Sequence, residues 1–337
     1  MPKVLLAGDD FITRDVLTEA VLRHLPGAEL GWLWSGFPTE PFRSVGGVHE
    51  VTGDEDALIE ALAGCQGAIT HTHPFSRRVL AAAPDLRVVS VCRGGAVNID
   101  LDAARELGIA VTTVPGRNAI PTAEHAVAMI LVSARQVAQR HREITEGGWS
   151  SDHYRYDQAG PELSGATVGL VGFGAIGSRV ARACAGLGMK VAVYDPYLVG
   201  DLPEEYQRFD DLDALLRVSD VLTLHARQTA ETMGLIGRRE LALLRDGAIV
   251  VNCARGGLLD YDALADALDA GHLFAAACDV FPTEPLAADD RLRRTPRLTL
   301  TPHVAGASRQ SAHYAADVGA TDLALFFGGG VPLHAAG

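Results

Sequence analysis

The chain has 337 residues, of which 48% are hydrophobic and 21% charged, as expected for a soluble protein of about two domains. No stretch approaches the roughly 20 consecutive apolar residues of a membrane span, and the N-terminal segment lacks the pattern of a secretory signal. A net charge of −13 argues against a nucleic acid or an anionic membrane as partner.

The cysteines show neither a Cys-x-x-Cys pair nor the spacing of a metal site. This pattern predicts small buried residues in a reducing cytoplasm, and no bound metal. The five are Cys65, Cys92, Cys184, Cys253 and Cys278.

Strand-like and helix-like segments alternate along the first third of the chain, which predicts a parallel sheet covered by helices. Helices are expected at Phe11–Leu25 and Leu101–Leu107, the second with Asp100 as N-cap and Gly108 as C-cap. The predicted strands are Val4–Ala7, Glu29–Trp34, Ala68–His71, Val88–Cys92 and Ala110–Thr112.

The pattern is interrupted at Pro115-Gly116. A long helix is then predicted from Pro121 to about Thr145, apolar along much of its length and therefore a candidate subunit interface. A second run of strands begins at Thr167 and ends near Leu298–Leu300, and one last helix, about Gln310 to Phe327, follows without a further strand.

This order predicts an α/β protein of two doubly wound parallel-sheet domains, one inserted into the other. Residues 117–303 are expected to form a Rossmann dinucleotide-binding domain. Residues 1–116 and 304–337 are expected to form a flavodoxin-like substrate domain, with no further C-terminal domain.

A glycine-rich turn opens the predicted Rossmann domain. The apolar run Val168–Val171 leads into Gly172-Phe173-Gly174-Ala175-Ile176-Gly177, a Gly-x-Gly-x-x-Gly pattern between a strand and a helix. Gly172 permits the tight turn, Gly174 lets the backbone approach a pyrophosphate, and Gly177 allows close helix packing. The pyrophosphate is expected at the positive end of that helix.

An acid follows at the end of the next predicted strand. Asp195 lies 18 residues after Gly177, close to the position of the carboxylate that holds the ribose hydroxyls of NAD. A carboxylate there repels the extra phosphate of NADP. Only Arg227, near the expected adenine pocket, could favour that phosphate, so NAD is the predicted cofactor and NADP the less favoured alternative.

Three further strand ends carry candidate catalytic residues, at the edge where ligands collect in open α/β sheets. Val250–Asn252 leads to Arg255, whose planar guanidinium suits a carboxylate. The second strand end carries Asp279 and Glu284, and the third carries His303. Histidine suits proton exchange with a hydroxyl because its pKa lies near neutrality, and a paired carboxylate would raise that pKa.

In this order, these stretches resemble the D-isomer-specific 2-hydroxyacid dehydrogenase family, which includes phosphoglycerate dehydrogenases. The resemblance covers nearly the whole chain and includes Asn98-Ile99-Asp100-Leu101-Asp102, Gly116-Arg117-Asn118 and Glu162-Leu163-Ser164-Gly165. It implies that Arg255 binds the substrate carboxylate, His303 is the acid/base and Glu284 holds His303. It also implies that Asp279 binds the nicotinamide amide and that relatives dimerise through the long helix.

The resemblance assigns the remaining site positions. The substrate carboxylate is expected on the amides of the loop Arg93-Gly94-Gly95, with His73 as a candidate substrate contact. The loop departs from the family's usual glycine-valine pattern, and Arg227 stands where relatives usually have proline. The expected cofactor positions are Gly172, Gly174, Ala175, Ile176, Gly177, Asp195, His225, Ala226, Arg227, Thr232, Cys253, Ala254, Asp279, His303 and Gly306.

The leading hypothesis is an NAD-dependent enzyme that interconverts a D-2-hydroxy acid and its 2-oxo acid, a cytoplasmic homodimer. Two alternatives remain. Similar folds serve as NAD-sensing co-repressors, which are binding modules. Formate dehydrogenase also resembles the chain in fold, but it usually carries glutamine where Glu284 stands. Four basic residues, His71, His73, Arg77 and Arg93, are compatible with either an anionic or a neutral substrate side chain.

Overall fold

A computed structural model of the chain describes residues 1–336, and the chain divides into two compact units. Unit 1 comprises Met1–Asn118 and the segment that begins at Ala307, and unit 2 is Ala119–Gly306. The predicted boundaries, after residues 116 and 303, fall two and three residues earlier than these. The assignment of one unit to the substrate and the other to the cofactor stays a prediction.

Both units are built on parallel strands, as the alternation of segments predicts. Across residues 1–336 the strands are β1 (Lys3–Gly8), β2 (Glu29–Trp34), β3 (Arg43–Val45), β4 (Val48–Val51), β5 (Gly67–Thr70), β6 (Val88–Val91), β7 (Ala110–Thr112), β8 (Thr167–Val171), β9 (Lys190–Tyr194), β10 (Tyr206–Phe209), β11 (Val221–Leu224), β12 (Ala248–Asn252), β13 (Leu273–Cys278) and β14 (Leu298–Leu300).

The α-helices cover the faces of the two sheets. In the same part of the chain they are α1 (Arg14–His24), α2 (Glu55–Ala61), α3 (Arg77–Ala81), α4 (Leu101–Glu106), α5 (Ala119–Arg135), α6 (Val137–Thr145), α7 (Gly177–Gly186), α8 (Leu212–Val218), α9 (Arg238–Leu241), α10 (Tyr261–Asp269) and α11 (Arg309–Phe327). None of them combines the length and hydropathy that a bilayer crossing requires.

The main sheet of unit 1 is parallel, with strand order β2-β1-β5-β6-β7. Alternate residues of β1 face opposite sides: Val4 and Leu6 pack with α1 and α11, whereas Leu5 and Ala7 belong to a separate core on the other face. Helix α4 begins as predicted, since the Asp100 side chain accepts a hydrogen bond from the amide of Ala103.

Unit 2 has a parallel sheet of order β10-β9-β8-β11-β12-β13-β14. The interior strand β12 is buried along its whole length, as expected when helices cover both faces. Ile249 and Val251 pack on one side of the sheet with α5 and α7, and Val250 packs on the other side with α10. The doubly wound α/β prediction is confirmed.

Three local predictions were wrong or incomplete. The long helix breaks at Gln136, whose φ of 49° is left-handed, so α5 and α6 are separate helices and α5 begins at Ala119. The hairpin of β3 and β4 and the edge strand β10 were not predicted. After α11 the chain returns to the sheet, where Ala335 forms an isolated bridge with Thr112.

Candidate active site

The glycine-rich turn of unit 2 joins β8 to α7. Gly172 has a φ of 97°, a conformation that favours glycine, and its amide donates to the Tyr194 carbonyl over 2.8 Å. A Cβ on Gly177 would collide with the Gly172 carbonyl oxygen. The backbone at the start of α7 therefore packs directly against the backbone of the turn. At Gly174 a Cβ would meet no atom within 4 Å, so the backbone there borders open space. This turn fits the pyrophosphate of a dinucleotide.

Asp195 follows β9 and ties two loops together. One carboxylate oxygen accepts from the Phe173 amide over 2.8 Å, and the other accepts from the Tyr197 amide over 2.9 Å. A carboxylate has about four acceptor positions, so two remain for the hydroxyls of a ribose. The hydroxyl of Tyr197 donates to Glu231 over 2.8 Å, which adds a second negative charge near Asp195. These residues fit NAD better than NADP.

The loop after β11 lies directly against the glycine turn. A Cβ on Gly172 would stand 2.7 Å from the carbonyl carbon of His225 and 2.8 Å from the Ala226 nitrogen. Burial lowers the pKa of His225 to about 4, so its ring is neutral near pH 7. The hydroxyl of Thr232 donates to the Arg227 carbonyl over 2.7 Å and closes the next turn, and the Arg227 residue itself is exposed.

Arg255 leaves the end of β12 on a loop held by the buried side chain of Asn252. The Asn252 amide nitrogen donates to the Arg255 carbonyl over 3.0 Å, and its oxygen accepts from the Ala254 amide over 3.0 Å. Cys253 and Ala254 are buried, whereas Arg255 is exposed. The guanidinium Nη1 donates to the Ala254 carbonyl over 2.7 Å, which leaves the other donors of its fork for a ligand.

Asp279 organises the loop that carries His303. Its buried carboxylate accepts from the Thr301 hydroxyl over 2.6 Å and from the amides of Val304 and Ala305 over 2.9 Å each. Its carbonyl accepts from the His303 amide over 2.8 Å. The structure therefore gives Asp279 a role in holding this loop, and its predicted contact with nicotinamide stays a prediction.

His303 and Glu284 form an ion pair. The Nδ1 of His303 lies 2.6 Å from a carboxylate oxygen of Glu284 and, since a carboxylate only accepts, Nδ1 donates. This hydrogen bond raises the pKa of His303 above its ordinary value, against the opposing effect of burial. Burial raises the pKa of Glu284, but its hydrogen bonds with His303 and the Phe281 amide outweigh that effect and leave the pKa lowered. The positive charge of Arg255 lowers the pKa of both groups, so its guanidinium lies within electrostatic range of the pair.

The backbone of His303 is unusual for a residue with a side chain. Its φ is 53°, in the left-handed region that non-glycine residues seldom adopt, and histidine is among the residues enriched there. Residues held in such conformations cluster at functional sites, where the surrounding structure compensates their cost of about 1–3 kcal/mol. Here the hydrogen bonds that Asp279 accepts from His303 and its neighbours supply that support.

The predicted substrate contacts belong to unit 1. Arg93 follows β6, and the glycines after it are exposed, as a backbone anion site requires. His73 is fully buried, and neither ring nitrogen has a hydrogen-bond partner among residues 1–336. Contact of His73 with a bound acid stays a prediction. Its neighbour His71 forms a buried pair with Asp9.

Sequence reasoning also missed the residues that position the catalytic loops. Neither Thr301 nor Tyr261 is among the residues that the sequence indicates. The Tyr261 hydroxyl accepts from Asn252 over 3.2 Å and donates to the Val280 carbonyl, so it joins the loop of Arg255 to the loop of Asp279. A buried tyrosine needs such a partner, but the sequence alone does not identify it.

Comparison with known proteins agrees with this geometry. Residues 127–305 match the family described as "D-isomer specific 2-hydroxyacid dehydrogenase, NAD binding domain". The chain is 35% identical over 323 residues to a glyoxylate reductase of Korarchaeum cryptofilum, covering 96% of this chain and 93% of that protein. A solved structure from Thermus thermophilus is 32% identical, with a TM-score of 0.83, and the match covers 99% of this chain and 100% of that one.

A D-3-phosphoglycerate dehydrogenase of Archaeoglobus fulgidus is 41% identical over 234 residues, which cover 69% of this chain and 44% of that protein. The chain thus spans about half the length of the phosphoglycerate dehydrogenases that it matches. With a family match over more than half of the chain and a relative aligned along nearly its full length, the chain belongs to the D-isomer specific 2-hydroxyacid dehydrogenase family, and residues 127–305 match the NAD binding domain of that family.

Proposed function

We propose that this protein is an NAD-dependent oxidoreductase that interconverts a D-2-hydroxy acid and the corresponding 2-oxo acid. The observation that carries the proposal is the ion pair of His303 and Glu284, with a nitrogen–oxygen distance of 2.6 Å, beside the charge of Arg255. These groups supply a proton donor and an anion-binding cation in the same unit as the dinucleotide turn. Reduction of a 2-oxo acid requires both.

His303 acts as the acid in reduction and as the base in oxidation. Because Nδ1 is engaged with Glu284, Nε2 is the atom that exchanges a proton with the substrate oxygen. Bound NADH supplies the hydride that reduces C2 of the oxo acid. His303 then donates the Nε2 proton to the former carbonyl oxygen, and Glu284 stabilises the protonated imidazole.

Arg255 binds the substrate carboxylate and polarises its carbonyl, using the guanidinium donors that Ala254 does not occupy. The amides of Gly94 and Gly95 are proposed as further carboxylate donors, with Arg93 beside them. Asp195 binds the ribose hydroxyls, and the turn from Gly172 to Gly177 holds the pyrophosphate. Asp279 keeps the His303 loop in place and is proposed to reach the nicotinamide amide.

The experiment is NADH oxidation at 340 nm against a panel of 2-oxo acids, with NADPH in parallel. The panel includes glyoxylate and hydroxypyruvate, which are implied by the names of relatives, and formate with NAD⁺ tests the formate dehydrogenase alternative. Turnover of a 2-oxo acid is expected, with NADH preferred. Tight NADH binding without turnover of any member would instead support an NAD-sensing binding protein.

The same assay tests the acid/base. His303→Ala is expected to lower kcat by about 10²–10⁴-fold, the usual contribution of a positioned acid or base. His313→Ala, at an exposed position of α11, is the matched control and should leave kcat unchanged. Near-normal turnover by the His303 variant would refute the assignment.

We also propose a cytoplasmic homodimer that uses α5, α6 and the segment after them. Ile120 and Val137 of these helices are 59% and 50% exposed, and Trp149, Tyr154 and Tyr156 are at least 85% exposed. Aromatic residues exposed together favour a protein interface. Light scattering should give twice the chain mass, and a monomer at micromolar concentration would contradict the proposal.

A further inference from the structure

Four polar residues follow four adjacent strands of unit 1. Asp9 comes after β1, His71 after β5, Arg93 after β6 and Arg117 shortly after β7, and these strands are neighbours in the order β1-β5-β6-β7. All four residues therefore gather at the carboxyl edge of one parallel sheet, where ligands bind in open α/β folds.

Asp9 and His71 form a buried pair at the centre of this edge. Their side chains are 0% and 3% exposed, and His71 Nδ1 lies 2.6 Å from an Asp9 carboxylate oxygen. The other Asp9 oxygen accepts from the amides of Phe11 and Ile12 over 2.9 and 2.8 Å. Burial lowers the pKa of His71, so we take the imidazole as neutral, with its proton on Nδ1 and its Nε2 free to accept.

Arg117 uses that acceptor. Its Nη2 lies 3.5 Å from His71 Nε2, and its guanidinium lies 5.6 Å from the centre of the Phe11 ring. Its Nη1 is buried and has no hydrogen-bond partner among the described residues, which also provide no carboxylate within ion-pair distance of this guanidinium. A charged donor buried in this way costs free energy that a bound anion would recover.

Arg93 is the second cation at this edge, and its charge acts directly on Arg117. Its guanidinium lies 5.6 Å from the centre of the Phe42 ring and is paired with both the carboxylate and the carbonyl of Glu50. Glu50 is held at a φ of 51°, a strained conformation for glutamate, and its side chain is 50% exposed. Thus Arg117 lacks an anionic partner, and Arg93 is neutralised by Glu50, an exposed acid in strand β4.

We infer that Arg117 and Arg93 form a binding site for a second anionic group of the substrate, so that the preferred 2-oxo acid carries a carboxylate or phosphate beyond its reacting carbons. This inference rests on the proposed function for the identity of the ligand. Two cations at one sheet edge concentrate an anion locally, against the overall charge of −13. Glu50 competes with the ligand for Arg93.

The test compares substrates that differ only in this charge. Oxaloacetate and 4-methyl-2-oxopentanoate have the same number and arrangement of non-hydrogen atoms, with a carboxylate in the first where the second has an isopropyl group. The pair 3-phosphohydroxypyruvate and hydroxypyruvate differs by the phosphate. In the wild type we expect kcat/KM for the acidic member of one pair to exceed that of its neutral partner at least tenfold. The favoured pair identifies the anion as carboxylate or phosphate.

Variants assign that preference to the residues. Arg117→Gln should lower kcat/KM for the acidic substrate about tenfold or more and leave the neutral one within about threefold, since a charged hydrogen bond is lost only with the former. Arg117→Lys, which keeps the charge, should lose less. Glu50→Gln should raise kcat/KM for the acidic substrate severalfold. Arg77→Gln is the control, because Arg77 is exposed and pairs with Glu106.

Equal losses for acidic and neutral substrates in Arg117→Gln, or a wild type that prefers the neutral members, would overturn the inference. If the wild type turns over no 2-oxo acid, the proposed function has failed, and the anion site is then tested by calorimetric titration with oxaloacetate and with inorganic phosphate. Binding of either that Arg117→Gln weakens at least tenfold supports the site, and no binding to the wild type refutes it.

Discussion

Glu284→Gln removes one negative charge from the catalytic pair and keeps the size of the side chain. In the wild type, reduction requires protonated His303, so the reductive rate falls as pH rises through the pKa of His303, which the hydrogen bond with Glu284 raises. Without that charge the pKa is lower, and the rate falls at a lower pH. Below both pKa values His303 is protonated in either protein, so the two should differ little there.

The size of the effect follows from the geometry. Opposite unit charges about 4 Å apart interact by about 1 kcal/mol in water and about 4 kcal/mol near a protein surface. The side chains of His303 and Glu284 are 47% and 34% exposed, so solvent screens the attraction between them. The interaction energy of this pair is therefore expected near the lower of these two energies. A value of about 1.4 kcal/mol corresponds to a tenfold change in proton affinity. We therefore expect kcat/KM for reduction to fall about tenfold on the alkaline side of the profile.

The assay is the pH dependence of kcat/KM for the best substrate of the 2-oxo acid panel. Asp289→Asn is the matched control, because Asp289 is exposed and its loss changes the net charge equally. The profile of that variant should coincide with the wild type. A loss that is the same at every pH would mean that Glu284 only positions its neighbours, and an unchanged profile would refute His303 as the proton donor.

Arg255→Lys should lower kcat/KM about 10–100-fold, with both kcat and KM affected, because an ammonium cannot reproduce the paired donors of the planar guanidinium. A change confined to the KM for NADH would place Arg255 outside the substrate site. Asp195→Ala should raise the ratio of NADPH to NADH kcat/KM at least several-fold, and an unchanged ratio would argue against its contact with ribose. Gly177→Ala should lower the free energy of unfolding by about 1–3 kcal/mol, because the added Cβ meets the carbonyl of Gly172. The thermal unfolding midpoint should fall accordingly. Gly186→Ala in the same helix meets no neighbour and should not destabilise; equal midpoints for the two variants would contradict the packing argument.

Much of the fold could be predicted because its signals are local. Continuous apolar runs such as Val168–Val171 mark buried strands, and capping residues such as Asp100 mark helix starts. The break at Gln136 has no such signal, since the residues around it are compatible with a helix and only packing selects its left-handed backbone. The hairpin of β3 and β4 is short and largely exposed, so it lacks the apolar pattern of the other strands.

The residues of the candidate site could be predicted from the sequence where they follow a strand that the sequence itself reveals. Arg255, Glu284 and His303 each follow a recognisable strand, and parallel strands bring their carboxyl ends to one edge. The bonds of Asp279 to Thr301 and Ala305 depend on the register of β13 against β14, which the sequence does not reveal. His71 and His73 are equivalent in the sequence, and only the structure shows that His71 has a buried partner.

The discontinuity of unit 1 has a consequence for the order in which the protein acquires its structure during synthesis. Helix α11, the last helix described, contributes Ala312, Ala316 and Leu323 to the core that also contains Val4 and Leu6 of β1. The first 118 residues therefore leave the ribosome with one face of their sheet covered only in part, by α1, and the contiguous unit 2 is translated before α11 can complete that cover. We expect the nascent amino-terminal segment to need protection from aggregation until the final helix emerges, whereas unit 2 has all of its own core available as soon as residue 306 is made.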